Sequence, residues 1–161
     1  GSWTPAKVKL AVSGCPRNCA EATVKDIGVI CVESGYDIHI AGAAGLHVRA
    51  TDLLGHVTTE EEVIEHVAAV MQLYREQATY LERVWKWAEK TGLETIRKAI
   101  MEDHEGRRAL VTRFKLSQRV AQKDPWAERA AGRELREFTP LAVLSPVRPR
   151  DVARVPVEAG E

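Results

Sequence analysis

Two cysteines separated by three residues stand in the string Ser13-Gly14-Cys15-Pro16-Arg17-Asn18-Cys19-Ala20-Glu21-Ala22. On a loop that runs into a helix, thiols at this spacing point the same way. Amides at a helix start lower the thiolate pKa and stabilise an anionic cluster, which is chemistry suited to iron–sulfur ligation. Gly14 lets the backbone pass close to a large inorganic group, and Pro16 gives up an N–H where no helical bond is needed. Spacing alone leaves two readings open: a pair of ordinary thiols, or half of a metal site, since a secure cluster wants four ligands. The third cysteine, Cys31, lies inside the apolar run Ile27 to Val32 and reads as a buried, inert thiol.

The remaining reactive residue types form no second constellation. His39, His47, His56, His66 and His104 are scattered without metal-ligand spacing and read as structural or solvated. No residue is singled out as a catalytic acid, base or nucleophile. Arg107-Arg108 and the arginines at 148, 150 and 154 are not interleaved with aromatics and read as solvated charge. Trp85 and Trp87 read as packing residues, and no glycine-rich phosphate loop follows a strand.

The elements that must hold Cys15 and Cys19 can be drawn from periodicity. Lys7 to Val12 alternates charged and apolar residues as a half-buried strand does, and Ser13 to Lys25 reads as a loop entering a short helix. Asp26 to Val32 and Tyr36 to Ala41 make a hairpin about the turn-like Glu33-Ser34-Gly35. Gly42-Ala43-Ala44-Gly45 is too small and flexible to fill a core. From Thr58 the period becomes helical. Thr58 or Thr59 with Glu61 or Glu62 three residues on is a capping box, and Val63, Val67, Val70, Met71, Tyr74, Ala78 and Leu81 form one apolar stripe. This helix is expected to continue, bent, through Trp85 and Ala88 to Lys90, with Gly92 as its left-handed cap. Two further helices are expected over about 93–101 and 105–121, before Asp124-Pro125-Trp126 interrupts the pattern. The fold class is therefore α+β: a small mixed or antiparallel sheet with a short helix after the cysteine loop, then a helical carboxy-terminal half. The expected organisation is 1–57, 58–123 as a helical region packed on it, and 124–161 as an irregular, mobile tail.

Composition narrows the class further. The 161 residues are 45% hydrophobic and 29% charged, and 23 basic residues balance 23 acidic ones. That balance argues against nucleic acid or an anionic membrane as partner. No apolar run has the length of a membrane span, and an odd number of cysteines without a secretory signal points to free thiols or metal ligands in a cytoplasmic protein. Gly1-Ser2 has the form of a cleaved-tag remnant, so residues upstream of Trp3 are expected to be missing.

The string GCPRNCAEA, followed closely by DIGVICVESGYDIHIAGAAG, resembles the second half of the cluster motif of the sirohaem nitrite and sulfite reductase family. REQATYLERVWKWAEKTG and DPWAERAAG resemble the carboxy-terminal region of large subunits of NADH-dependent assimilatory nitrite reductases. The family holds a 4Fe-4S cluster with a Cys-x5-Cys pair upstream and a Cys-x3-Cys pair downstream. By resemblance Cys15 and Cys19 are the downstream pair, with Cys19 bridging the cluster to the sirohaem iron. Arg17 and Asn18 are expected to contact the cofactors, Asn18 by a hydrogen bond to a cluster sulfur or by capping the following helix. Gly42, Ala43 and Gly45 are expected to bring backbone N–H groups to a sirohaem carboxylate. The implied activity is reduction of nitrite to ammonia with NAD(P)H-derived electrons, FAD and NAD(P)H being bound elsewhere in the parent chain. The implied partners are the upstream part of the same enzyme and a small Rieske-type subunit. Sulfite reduction is the near alternative, and an interaction module without activity the distant one. With two matching thiols, the chain by itself is expected to be a cofactor-free, catalytically silent half-site.

Overall fold

The computed structural model describes residues 3–121 and 124–132. Two compact units divide after Gln122. In the first, four strands lie in the order β1 (Leu10–Ser13), β2 (Ile27–Val32), β3 (Gly35–Ile40) and β4 (Asp52–Val57). β1 pairs with β2 in parallel, and the other two pairings are antiparallel, so the sheet is mixed. β2 and β3 form the expected hairpin, Val32 opposite Gly35. Parallel neighbours need a crossover rather than a hairpin, and here residues 14–26, with both cysteines, are that crossover. Its helical part is a single 3-10 turn, Ala22–Val24, rather than a helix opening at the cysteines.

Side chains alternate between the two faces of the sheet. Ile27 and Val29 of β2, opposite Ile40 and Ile38 of β3, face the helices. On the other face the crossover lies against Gly28. A Cβ there would come within 2.2 Å of the Ala22 carbonyl oxygen, so only glycine admits this approach. β4 follows no clean alternation, and a bulge at Ile38/His39 shifts its register on β3.

α1 (Glu60–Gln77) starts as its sequence indicates: Thr59 accepts from the Glu62 amide, and Glu62 accepts from the Thr59 amide. Backbone amides of Thr58 and Thr59 hold the Glu62 carboxyl below its ordinary value. The helix ends sooner than the apolar stripe suggests. Leu81 is exposed with φ 65, its amide donating 2.9 Å to the Pro5 carbonyl, and the Tyr74 hydroxyl donates 2.5 Å to the Glu82 carbonyl. A separate helix α2 (Val84–Thr91) follows, closed by Gly92 at φ 86. α3 (Leu93–Arg97) runs into one π-helical turn, Lys98–Glu102, and α4 (His104–Ala121) completes the unit. One core joins sheet and helices, with Ile27, Ile38, Ile40, Leu54, Tyr74, Trp87, Ile96 and Ile100 almost fully buried.

In the second unit Asp124 accepts from the Ala127 amide and opens α5 (Pro125–Ala130), with proline at the first helical position where its missing N–H costs nothing. This segment was expected to be irregular. Its local cap and proline start explain the helix. The arginines at 148, 150 and 154, and the rest of the expected tail beyond 132, lie outside the described residues.

Candidate cluster-ligand loop

The crossover is a chain of tight turns. The Asn18 amide donates 3.2 Å to the Cys15 carbonyl, closing a turn with Pro16 at its first corner. The Glu21 amide donates 2.9 Å to the Asn18 carbonyl, closing a second turn with Cys19 at its first corner. Asn18 joins the two turns in the left-handed region at φ 54, a conformation that asparagine tolerates better than most residues. Its side chain faces inward. Oδ1 accepts from the Ser13 hydroxyl at 3.2 Å, and Nδ2 donates to the Thr23 hydroxyl at 2.6 Å. Ser13 is buried, so the amide ties the end of β1 to the 3-10 turn.

Cys15 and Cys19 are both free and exposed. Cys15 opens the first turn and Cys19 is the first corner of the second, and both thiols are available to a ligand from solvent. Arg17, between them, is exposed, and among the described residues its side chain makes no ion pair or hydrogen bond. Cys31 is half-buried on β2, opposite Tyr36 and away from the loop. Asn18 Oδ1 also accepts 3.4 Å from the Thr23 amide, so the side chain both braces the turns and reaches the 3-10 turn that follows.

The far end of the crossover is clamped. Asp26, fully buried, accepts from Arg83 Nη2 at 2.9 and 2.8 Å through its two oxygens, and from the Lys9 amide at 2.8 Å. Arg83 directly precedes α2, so the clamp fixes the crossover to the helical layer.

The Gly42 to Gly45 stretch lies at that end too. The Gly42 amide donates 3.0 Å to the Lys25 carbonyl, and Ala43 exchanges two 2.9 Å backbone bonds with Arg49. Gly42 and Ala43 therefore have no N–H left for a carboxylate. Gly42 is glycine because a Cβ would fall 2.4 Å from the Lys25 carbonyl oxygen. Gly45 differs: a Cβ there would meet nothing, and it sits with Ala44, His47, Arg83 and Trp85 around a recess of about 140 Å3. His47 stacks on Trp85 with ring centres 4.4 Å apart. Among the described residues, no three His, Cys, Asp or Glu side chains come together as a metal site.

Sequence reasoning missed three structural residues. Gly28 carried a usable signal, a lone glycine in a β-branched run, which marks close backbone approach. Asp26 carried none, because its partner Arg83 is remote in sequence. Arg107, read as solvated, is buried; it pairs with Glu65 at 2.7 Å and donates 2.8 Å to the Ile100 carbonyl, closing the π turn.

The model of the nitrite and sulphite reductase 4Fe-4S domain matches residues 1–108. The chain belongs to this 4Fe-4S family. Among curated relatives, the nitrite reductase [NAD(P)H] of Bacillus subtilis is 46% identical over 128 residues, 80% of this chain and 16% of that protein. The nitrite reductase (NADH) large subunit of Escherichia coli is 33% identical over 130 residues, 80% of this chain and 15% of the relative. An assimilatory-type sulfite reductase of Nitratidesulfovibrio vulgaris is 36% identical over 97 residues, 60% of this chain and 44% of its own length. The chain thus spans about a sixth of its nitrite reductase relatives. As a member of the 4Fe-4S family it has the α+β architecture expected, and no described helix is long and apolar enough to cross a membrane.

Proposed function

We propose that the chain supplies two of the four thiolates of a 4Fe-4S cluster in a cytoplasmic, sirohaem-dependent nitrite reductase, with Cys15 and Cys19 as the ligands. One observation carries this reading: the two thiols stand free and exposed on successive turns of a braced crossover, in a chain of the 4Fe-4S family. The donor set fits. Iron in such clusters takes thiolates, and the turns hold two of them without help from the missing ligands. Cys31 does not fit, being half-buried in a paired strand.

When bound, cluster and sirohaem supply the electron transfer that takes nitrite to ammonia, the electrons originating in NAD(P)H and passing through FAD elsewhere in the reductase. The chain's own residues do the holding. Cys15 and Cys19 would hold the cluster as thiolates, Cys19 on the side that would be shared with the sirohaem. Asn18 positions both by fixing the turns between Ser13 and Thr23. Arg17 offers a positive charge beside the anionic cluster, and the free amides about Ala44 and Gly45 offer donors to a sirohaem carboxylate. The upstream part of the polypeptide provides the other two thiols, and a small Rieske-type subunit is a further partner.

Full-length reductase carrying Cys15→Ser, Cys19→Ser or Cys31→Ser tests this by iron and acid-labile sulfide content and by the spectrum of the reduced cluster. Loss in the first two and retention in the third is expected; full iron content in C15S or C19S overturns the assignment. The sulfite alternative rests on the 36% identity to a sulfite reductase, yet that match is shorter than those to the nitrite enzymes. Turnover of nitrite well above that of sulfite is expected, and the reverse preference overturns the choice of substrate.

A further inference from the structure

The returning limb of the crossover is held by backbone bonds. The Thr51 amide donates 2.8 Å to the Thr23 carbonyl, the Gly42 amide 3.0 Å to that of Lys25, and the Ala41 amide 2.9 Å to that of Asp26. The outgoing limb is joined to it through the Asn18 side chain and, at the base, through Lys9. There the Ile27 amide donates 3.2 Å to the Lys9 carbonyl, and the Lys9 amide donates 2.8 Å to Asp26 Oδ2. Asp26 thus joins both limbs at the base of the segment that carries Cys15 and Cys19, and Arg83 reaches it from the helical layer.

Three features of this contact run against stability. Asp26 is the one buried carboxylate among the described residues, and a buried ion pair loses hydration that an apolar pair of the same volume would not. Arg83 Nε is the one buried side-chain nitrogen or oxygen among the described residues without a hydrogen-bond partner, and an unmade bond is a cost. The linker that delivers Arg83 holds Leu81, exposed, at φ 65, a left-handed conformation strained for a leucine. What the pair supplies in return is direction. Apolar contacts are non-directional, whereas the bonds from Arg83 Nη2 and the Lys9 amide fix the carboxylate in one place.

We propose that Arg83, acting through Asp26, is a positioning residue for the thiol loop, setting the separation of Cys15 and Cys19 and so the tightness with which the pair holds metal. This rests on the cluster-ligand reading above. The chain of contacts is short. Asp26 fixes Lys9 against the return limb; β1 then leads to Ser13 and the 3-10 turn to Thr23, and both are bonded to Asn18 between the two cysteines. Loss of the arginine leaves the carboxylate buried and unpaired, and the limbs lose their common anchor. The helical layer thereby has a part in the site although it carries neither thiol.

The test is Cd2+ titration of the reduced 161-residue chain, followed by the sulfur-to-metal charge-transfer absorption, since soft ions select thiolates. Cys31→Ser in the background leaves only the pair to report. Arg83→Met should weaken Cd2+ binding at least about tenfold, the loss typical when a group behind a metal ligand is removed, and in full-length reductase it should shift the cluster's reduction potential. Asp26→Asn, which leaves a partly exposed Arg83 to water, should weaken binding in the same way and carries the test if Arg83→Met does not fold. Leu110→Ala, a buried truncation on α4, should lower Tm yet leave affinity and potential unchanged. Unaltered affinity in folded Arg83→Met or Asp26→Asn overturns the proposal. So does affinity that simply follows Tm across all three variants. Weakened Cd2+ binding in a reductase whose iron survives Cys15→Ser and Cys19→Ser would support the positioning role and overturn the cluster reading, so the two failures are distinct.

Discussion

Asn18→Gly leaves the backbone free to keep φ 54 and removes only the side-chain brace to Ser13 and Thr23. Asn18→Ala removes the brace and also forces a side chain with no local compensation into the left-handed region. The glycine variant should lose about 1 kcal/mol of stability and the alanine variant roughly 2 kcal/mol. Urea denaturation reads both; equal losses would mean that the backbone conformation carries no cost. At the same scale, His56 makes stability depend on pH. Its Nδ1 lies 2.8 Å from Asp37 Oδ1, and that bond raises the imidazole above its ordinary 6.5. A raised value means that the contribution is complete below 6.5 and is lost as pH rises through the folded-state value. Burial lowers His39 and His66, whose contributions are present above 6.5 and are lost as pH falls. His56→Gln should therefore lower Tm more at about pH 6 than at about pH 8. Equal losses at both pH values would rule out the ion pair as the cause.

The crossover is held to the sheet through Gly28. Gly28→Ala puts a Cβ 2.2 Å from one backbone oxygen and 2.8 Å from its carbon, neither of which can rotate away. It should cost about 2–3 kcal/mol and speed alkylation of Cys15 and Cys19, whereas Gly14→Ala, meeting no atom, should do neither. Similar behaviour of the two variants in thiol labelling and thermal melts would contradict this. The elements differ in how far they can be read from sequence, for physical reasons. α1 starts legibly because Thr59 and Glu62 satisfy each other locally, and the β2–β3 hairpin is legible because its turn is local too. The end of α1 is illegible: Ala78 and Leu81 keep the helical period, and the helix stops through contacts with Pro5 and Glu82. β4 is hidden by the bulge opposite it. For the candidate site, the spacing of Cys15 and Cys19 was plain in the sequence. Their presentation was not, because turns bonded across Ser13, Asn18 and Thr23 leave no periodic trace. Gly42 and Ala43 misled for a related reason: small residues signal close approach, and here the approach is between strands of the protein itself.

At the scale of the first unit, one core runs from Ile27 through Trp87 to Val111 and joins sheet to helices. Its thermal unfolding should be a single transition, with calorimetric and van't Hoff enthalpies in agreement. A separate transition for the sheet would show that the helices form their own cooperative unit. The mixed pairing also has a consequence in time. The hairpin closes at Val32 and Gly35 with two residues between them, but β1 meets β2 only once the whole crossover has looped back from Leu10 to Ile27. Local contacts form before those that must first offset loop-closure entropy. Folding φ-values are accordingly expected to be higher in the β2–β3 hairpin than in β1. The ordering means that the two thiols reach their final places after the hairpin has closed. On the proposed ligation, metal loading would follow that step, and the β2–β3 hairpin should pair in iron-free protein as well.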